Sequence, residues 1–244
     1  MTDVSRDVAA ATGRYLNGDY LAHNPDWHVD DSPWKVRHVT ELLNGHGIVP
    51  RDIADIGCGS GACAQLIHEA YSQAPTVGFE IAPDAFAVCR KRESPGLHYS
   101  NAMPFDDRRV FDLAMVLDVV EHVENPFAFV RSVAQVSRYQ VFHIPLDMNA
   151  MAVARGWPIT KARQLLGHLS YFNRESALAL LREAGLEVVE ARFTAWAIEL
   201  APHSAKRWLA VLPRRIAYAL NPDVAVRLLG GWSLMVLTRS DNAL

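Results

Sequence analysis

Residues 51 to 61, Arg-Asp-Ile-Ala-Asp-Ile-Gly-Cys-Gly-Ser-Gly, carry a short apolar strand into three alternating glycines, and a helical pattern opens at about Ala62. Gly57, Gly59 and Gly61 let the backbone turn sharply and come against a ligand with no Cβ in the way. A helix starting there aims unpaired N–H groups at the same ligand. A strand that ends in this way forms a nucleotide-type binding loop.

Spacing alone does not name the nucleotide, because Gly57-x-Gly59-x-x-Ala62 also satisfies the permissive dinucleotide pattern, with Glu80 about twenty residues on. The charge on Asp55 separates the two. A dinucleotide would lay a pyrophosphate against the loop, close to that carboxylate. S-adenosylmethionine (SAM) brings a sulfonium and an ammonium, which a carboxylate favours. Asp-x-Gly-x-Gly-x-Gly therefore reads as a SAM loop. Two rivals stand beside it, an NAD-dependent oxidoreductase and a non-catalytic SAM-fold subunit. Asp55 and an antiparallel-looking final strand count against the first. The intact set of Asp55, the three glycines and Glu80 counts against the second.

With 244 residues, 50% of them hydrophobic, the chain can bury a full core as one elaborated domain over 1–244. A net charge of −3 with interspersed signs gives no basic footprint for nucleic acid. No run reaches the length of a membrane span and no apolar leader opens the chain, so a cytoplasmic protein is expected. Three cysteines, Cys58, Cys63 and Cys89, are too few and too scattered for a disulfide framework or a thiolate metal site.

Past the loop, strand and helix patterns alternate, which predicts a parallel sheet with helices on both faces. Strands are expected near 52–56, 76–81, 97–100, 111–117, 139–144, 186–193 and 232–238. Helices are expected near 62–72, 84–92, 126–136 and 174–184, the last capped by Asn173 and stopped by Gly185. The fold class is a three-layer α/β sandwich, Rossmann-like, with seven mostly parallel strands and an antiparallel last strand. An aromatic arm at 1–34 leads into a helix, with Ser32 as N-cap and Pro33 in its first turn. A substrate-side insertion is expected at 147–170. A helical one at 198–230 has Pro202, Pro213 and Pro222 each able to open a new helix. The second insertion is basic and amphipathic. It can make peripheral contact with an anionic membrane, or simply pack on the sheet or on another subunit.

Four motifs in order, Asp-Ile-Gly-Cys-Gly-Ser-Gly at 55–61, Gly-Phe-Glu-Ile-Ala-Pro at 78–83, Met-Pro-Phe at 103–105 and Leu-Asp-Val-Val-Glu-His-Val-Glu-Asn-Pro at 117–126, resemble the class I SAM-dependent methyltransferases. The branch they resemble includes the ubiquinone-pathway O-methyltransferases. Glu80, at the end of the second strand, can accept both ribose hydroxyls of the adenosyl group. The resemblance adds Ile81 beside the adenine, Asn101 and Ala102 after the third strand, and Leu117 and Asp118 at the methionine part of SAM. Asn101 stands where the family often has an acid. Asp55, Gly57, Cys58, Gly59 and Gly61 complete the expected cofactor-binding set.

Methyl transfer needs a nucleophile in line with the sulfonium methyl, and a hydroxyl acceptor also needs a base. His122, next to Glu121, is the candidate base. In small-RNA 2′-O-methyltransferases and ubiquinone-pathway enzymes a Glu-x-x-Glu-His motif at this point helps to hold a divalent ion. The matching residues here are Asp118, Glu121 and His122, with His168 as a further ligand for Mg²⁺ or Mn²⁺. Asp118 is one methylene shorter than the family's Glu, and Glu-His also occurs in metal-free relatives, where it fixes the pocket. His143 reads as a core histidine. The expected activity is O-methylation of a small-molecule acceptor such as a sugar, a quinone or another secondary metabolite, and O over N or C follows from the resemblance alone.

Overall fold

The computed structural model describes residues 29–105, 109–200 and 205–240. The aromatics expected in the leading arm, Tyr15, Tyr20 and Trp27, lie outside them. A 3-10 turn, Val29–Asp31, leads into α1 (Ser32–Gly45). β1 (Ile53–Ile56), α2 (Ala62–Ala70), β2 (Thr76–Phe79), α3 (Pro83–Cys89), β3 (Leu97–Ser100) and β4 (Phe111–Leu117) follow. Next come α4 (Pro126–Gln135), β5 (Ser137–Pro145), α5 (Ala150–Arg155), α6 (Trp157–Lys161), α7 (Arg174–Glu183) and β6 (Glu187–Thr194). α8 (Trp196–Glu199), α9 (Ala205–Leu220), α10 (Pro222–Leu229) and β7 (Ser233–Arg239) close the order.

The strands form one sheet in the order β3-β2-β1-β4-β5-β7-β6. The first five run parallel, and β7 lies antiparallel between β5 and β6. All seven expected strands are present, with ends within about two residues, as boundary readings allow.

Alternation along the central strands builds two cores. Ala54, Ile56, Ala114, Val116, Phe142 and Ile144 face α4 and α7, meeting Phe129, Val133, Leu178 and Leu181. Ile53, Leu113, Met115 and Val141 face the other way, onto Val39, Leu42 and Leu43 of α1 and Ile67 of α2. Every residue of β1 and β4 is buried, as expected of strands covered on both sides. Because strand order reverses between β1 and β4, a crevice opens where their carboxyl ends diverge, and the glycine loop and Asp118 stand there.

α7 begins as expected: the Asn173 side chain accepts from the Ser176 N–H, with the reciprocal bond completing a capping box. Gly185 follows its end with φ 96°. Two local expectations fail. The N-cap of α1 is Asp31, which makes no side-chain cap bond, while Ser32 is the first helical residue and is buried. The 3-10 turn before it already sets the chain in a helical path, so no Ser cap forms. Pro213 lies inside α9 instead of opening a helix. The carbonyl it deprives of a partner belongs to Leu209, an exposed residue, where water can replace the bond. No helix among the described residues is long and apolar enough to cross a membrane.

Candidate active site

The crevice holds a cavity of about 600 Å³. Asp55, Gly57, Cys58, Gly59, Glu80, Ile81, Leu117, Asp118, Glu121, His122 and His168 all line it. Gly61, Asn101 and Ala102 do not. The wall after β3 is made by Met103 and Phe105, and Asn101 and Ala102 are exposed.

The loop glycines divide the work. Gly59, at φ 55°, donates its N–H to Glu80 Oε2 at 2.8 Å, and the Ala82 N–H donates to Oε1 at 2.7 Å. Each oxygen of Glu80 keeps a second lone pair for a ligand. Gly61 serves packing: a Cβ there would lie 2.7 Å from both Cys89 Cβ and the Tyr99 ring. Tyr99 also donates its hydroxyl to the Gly61 carbonyl at 2.9 Å.

Asp55 is 2% exposed, and its Oδ2 has no hydrogen-bond partner among the described residues. Burial, with Glu80 nearby, raises its carboxyl to a pKa of about 7. A cation in the cavity would find this acid ready to ionise.

Asp118 stands apart from the other acids. It is the one non-glycine with positive φ, 56°, among the described residues. Two partners hold this uncommon conformation. The Lys35 ammonium lies 2.8 Å from Oδ2, and His143 Nδ1 lies 2.6 Å from Oδ1. Desolvation would raise the Asp118 carboxyl, but the His143 ring and the Lys35 ammonium outweigh it and hold the group well below the ordinary range. His143 in turn reaches Thr194 Oγ1 through Nε2 at 2.8 Å and takes the edge of Trp34. Both carboxylate oxygens of Asp118 are thus engaged, and it is absent from the metal-type cluster expected to include it.

That cluster consists of Glu121, His122 and His168, whose ligand atoms all lie within 4.8 Å of one another. Glu121 is 1% exposed, and neither oxygen meets a hydrogen-bond donor on another described residue. Burial, then Asp118, pushes its carboxyl well above the ordinary range. Leu169 and Ser170 donate their N–H groups to the Glu121 carbonyl, which joins the end of the 147–170 insertion to this turn. His122 Nδ1 lies 3.3 Å from the Gly167 carbonyl, which can only accept, so Nε2 is the lone-pair nitrogen of the neutral ring. The rings of His122 and His168 meet edge to face, 4.9 Å between centroids.

Four site residues carry no signal in the glycine motif: Lys35, His143, Asp147 and Thr194. For Lys35 a signal existed. Positions 35, 39 and 42 recur at helical spacing on the side of α1 that carries Val39 and Leu42, which assigns Lys35 to the buried face. It is 7% exposed. Desolvation pulls its ammonium down, Asp118, Cys63 and Asp31 push it up, and the net value is well above the ordinary one, so it stays charged. It is the one lysine or arginine on the cavity wall among the described residues.

Three arginines of the basic insertion are engaged on their own protein. Arg214 donates to the Gly230 carbonyl, Arg215 to that of Ile198, and Arg227 pairs with Glu175.

A methyltransferase-domain profile matches residues 31–191. The ubiquinone biosynthesis O-methyltransferase of Aromatoleum aromaticum is 29% identical over 193 residues, covering 70% of this chain and 80% of that protein. Among solved structures, the magnesium protoporphyrin IX methyltransferase of Synechocystis PCC 6803 aligns with a TM-score of 0.57 at 13% identity, over 99% of this chain and 88% of the other. The N-methyltransferase NodS of Bradyrhizobium japonicum aligns with a TM-score of 0.55 at 17% identity, over 96% and 98%. These structures share the fold, and the profile carries the family: the chain belongs to the methyltransferase-domain family and is a SAM-dependent methyltransferase.

Proposed function

We propose that the protein transfers the SAM methyl group to a hydroxyl oxygen of a small, largely apolar acceptor held with its oxygen against Glu121, His122 and His168. The observation that carries this is the convergence of those three ligand atoms, with a buried carboxylate lacking hydrogen-bond donors, at one place in a cavity whose lining also includes Val123, Phe129, Leu166, Trp196 and Leu200. The name of the Aromatoleum relative supports oxygen as the acceptor atom.

In this reading Lys35 receives the methionyl carboxylate of SAM, and Asp55 balances the positive end of the donor. Glu80 takes the ribose hydroxyls, and Ile81, with Met103 and Phe105, covers the adenine. Leu117, at the end of β4, borders the methionine part. The enzyme's contribution to the displacement is alignment of the acceptor oxygen with the sulfonium methyl.

Glu121, His122 and His168 fit a divalent cation, and two imidazoles in three ligands favour Mn²⁺ over Mg²⁺. Such an ion supplies positive charge that lowers the pKa of an acceptor hydroxyl. A second reading makes His122 the base without a metal. The Nδ1 contact with Gly167, which leaves Nε2 to accept a proton, favours it.

Methyl transfer from labelled SAM to a panel of phenols, vicinal diols and amines, with Mn²⁺ and after chelation, tests both. Methylated phenol or diol formed only with metal is the expected result. Unchanged turnover after chelation would favour His122 as unaided base, and product from amines alone would remove the hydroxyl acceptor.

A further inference from the structure

His168 is held more firmly than a cavity-lining histidine needs to be. Its side chain is 6% exposed, and Nδ1–H donates to Asp147 Oδ2 at 2.5 Å. Asp147 comes from the segment just after β5, and His168 from the far end of the insertion, past a π-helical turn at Ala162–Leu166. Folding the insertion back brings the two together. With the Nδ1 hydrogen committed to Asp147, Nε2 is the one ring nitrogen left to ligate. Asp147 lines the same cavity but is not one of the three clustered residues.

On the reading that Glu121, His122 and His168 hold a divalent cation, we propose that Asp147 is the positioning residue of that site. By accepting from Nδ1 it fixes the tautomer and ring plane of His168, so that the Nε2 lone pair is presented to Glu121 and His122. Carboxylates placed behind ligating imidazoles act in this way and also make the ligand more basic. Asp118 cannot substitute, because its two oxygens are taken by Lys35 and His143.

The role is separable from folding. The Asp147 carbonyl, not its side chain, accepts the Asn149 backbone and side-chain N–H groups that shape the local turn. Those bonds survive a change of side chain. Asp147→Asn is the informative variant, since its amide group can donate to Nδ1 and impose the opposite tautomer.

The test uses the whole protein with S-adenosylhomocysteine bound and Mn²⁺ as the probe, following unbound Mn²⁺ by its electron paramagnetic resonance signal. The wild type should retain Mn²⁺ and His168→Ala should lose it. Asp147→Asn should bind it about 10- to 100-fold more weakly, with S-adenosylhomocysteine affinity and Tm unchanged. Wild-type Mn²⁺ affinity in Asp147→Asn would overturn the inference and leave the cation site standing. A wild type that retains no Mn²⁺ removes the site and the inference together. If Asp147→Asn loses S-adenosylhomocysteine or lowers Tm, the residue is structural and the inference falls.

Discussion

Lys35 brings a fixed positive charge to a wall that also carries Asp31, Asp55, Glu80, Asp118, Glu121 and Asp147. A zwitterionic methionyl group entering that wall has one side-chain ammonium to meet. Lys35→Met should therefore weaken S-adenosylhomocysteine by about tenfold or more, the loss of one charge-assisted hydrogen bond. Methylthioadenosine, which lacks the amino-acid end, should bind as before. Calorimetric titration of both ligands checks this, and an equal loss for the two would make Lys35 a structural counterion for Asp118. His122→Ala should keep S-adenosylhomocysteine affinity and lower turnover by a factor of about 10² to 10⁴, the range for a proton-transfer group. Loss of cofactor binding in that variant would give the residue a structural role. The Asp–Gly–Gly–Gly run and Glu80 were legible because the motif is local in sequence. The exclusion of Asp118 from the cluster was not, since it depends on Lys35, 83 residues earlier, and on His143 from the neighbouring strand.

Among the elements, the glycine loop is packed against α3 and β3, through Cys89 and Tyr99, as well as opened to a ligand. Gly61→Ala puts a methyl 2.7 Å from the Tyr99 ring and from Cys89 Cβ at a φ of 78°, which combines overpacking with left-handed strain. A cost of about 2 kcal/mol or more is expected, lowering Tm by roughly 5 °C in a domain of this size. Gly59→Val, by contrast, should abolish S-adenosylhomocysteine binding, because Gly59 itself lines the cavity and its N–H ties Glu80. Thermal melts and titrations of the two variants separate the roles. Helices such as α7 were readable to within a residue because Asn173, Ser176 and Gly185 punctuate them locally. The cap of α1 was not, because the preceding turn had already set its direction and made Ser32 the first helical residue.

For the molecule as a whole, the buried Asp55 couples ligand to pH. A carboxyl raised to about 7 binds its proton more tightly in the folded state than in the unfolded one. Its contribution to stability is therefore greatest below the ordinary carboxylate range and is lost as pH climbs toward about 7. A sulfonium nearby favours the ionised form, so binding releases a proton. SAM affinity should rise from pH 6 to pH 8, more steeply than that of S-adenosylhomocysteine, whose sulfur is neutral. Titrations across that range check the slope, and an Asp55→Asn protein should show little of it. At the same scale, β6 joins the sheet through β7 alone. Thr194, which holds His143, sits on β6, and its register partner Ser233 is the first residue of β7. During synthesis, then, the polar chain from Lys35 to Thr194 cannot be anchored until residues 233–239 have left the ribosome. A nascent chain stalled before them should carry its glycine loop and its five parallel strands, with β6 unpaired and that side of the crevice still unfastened.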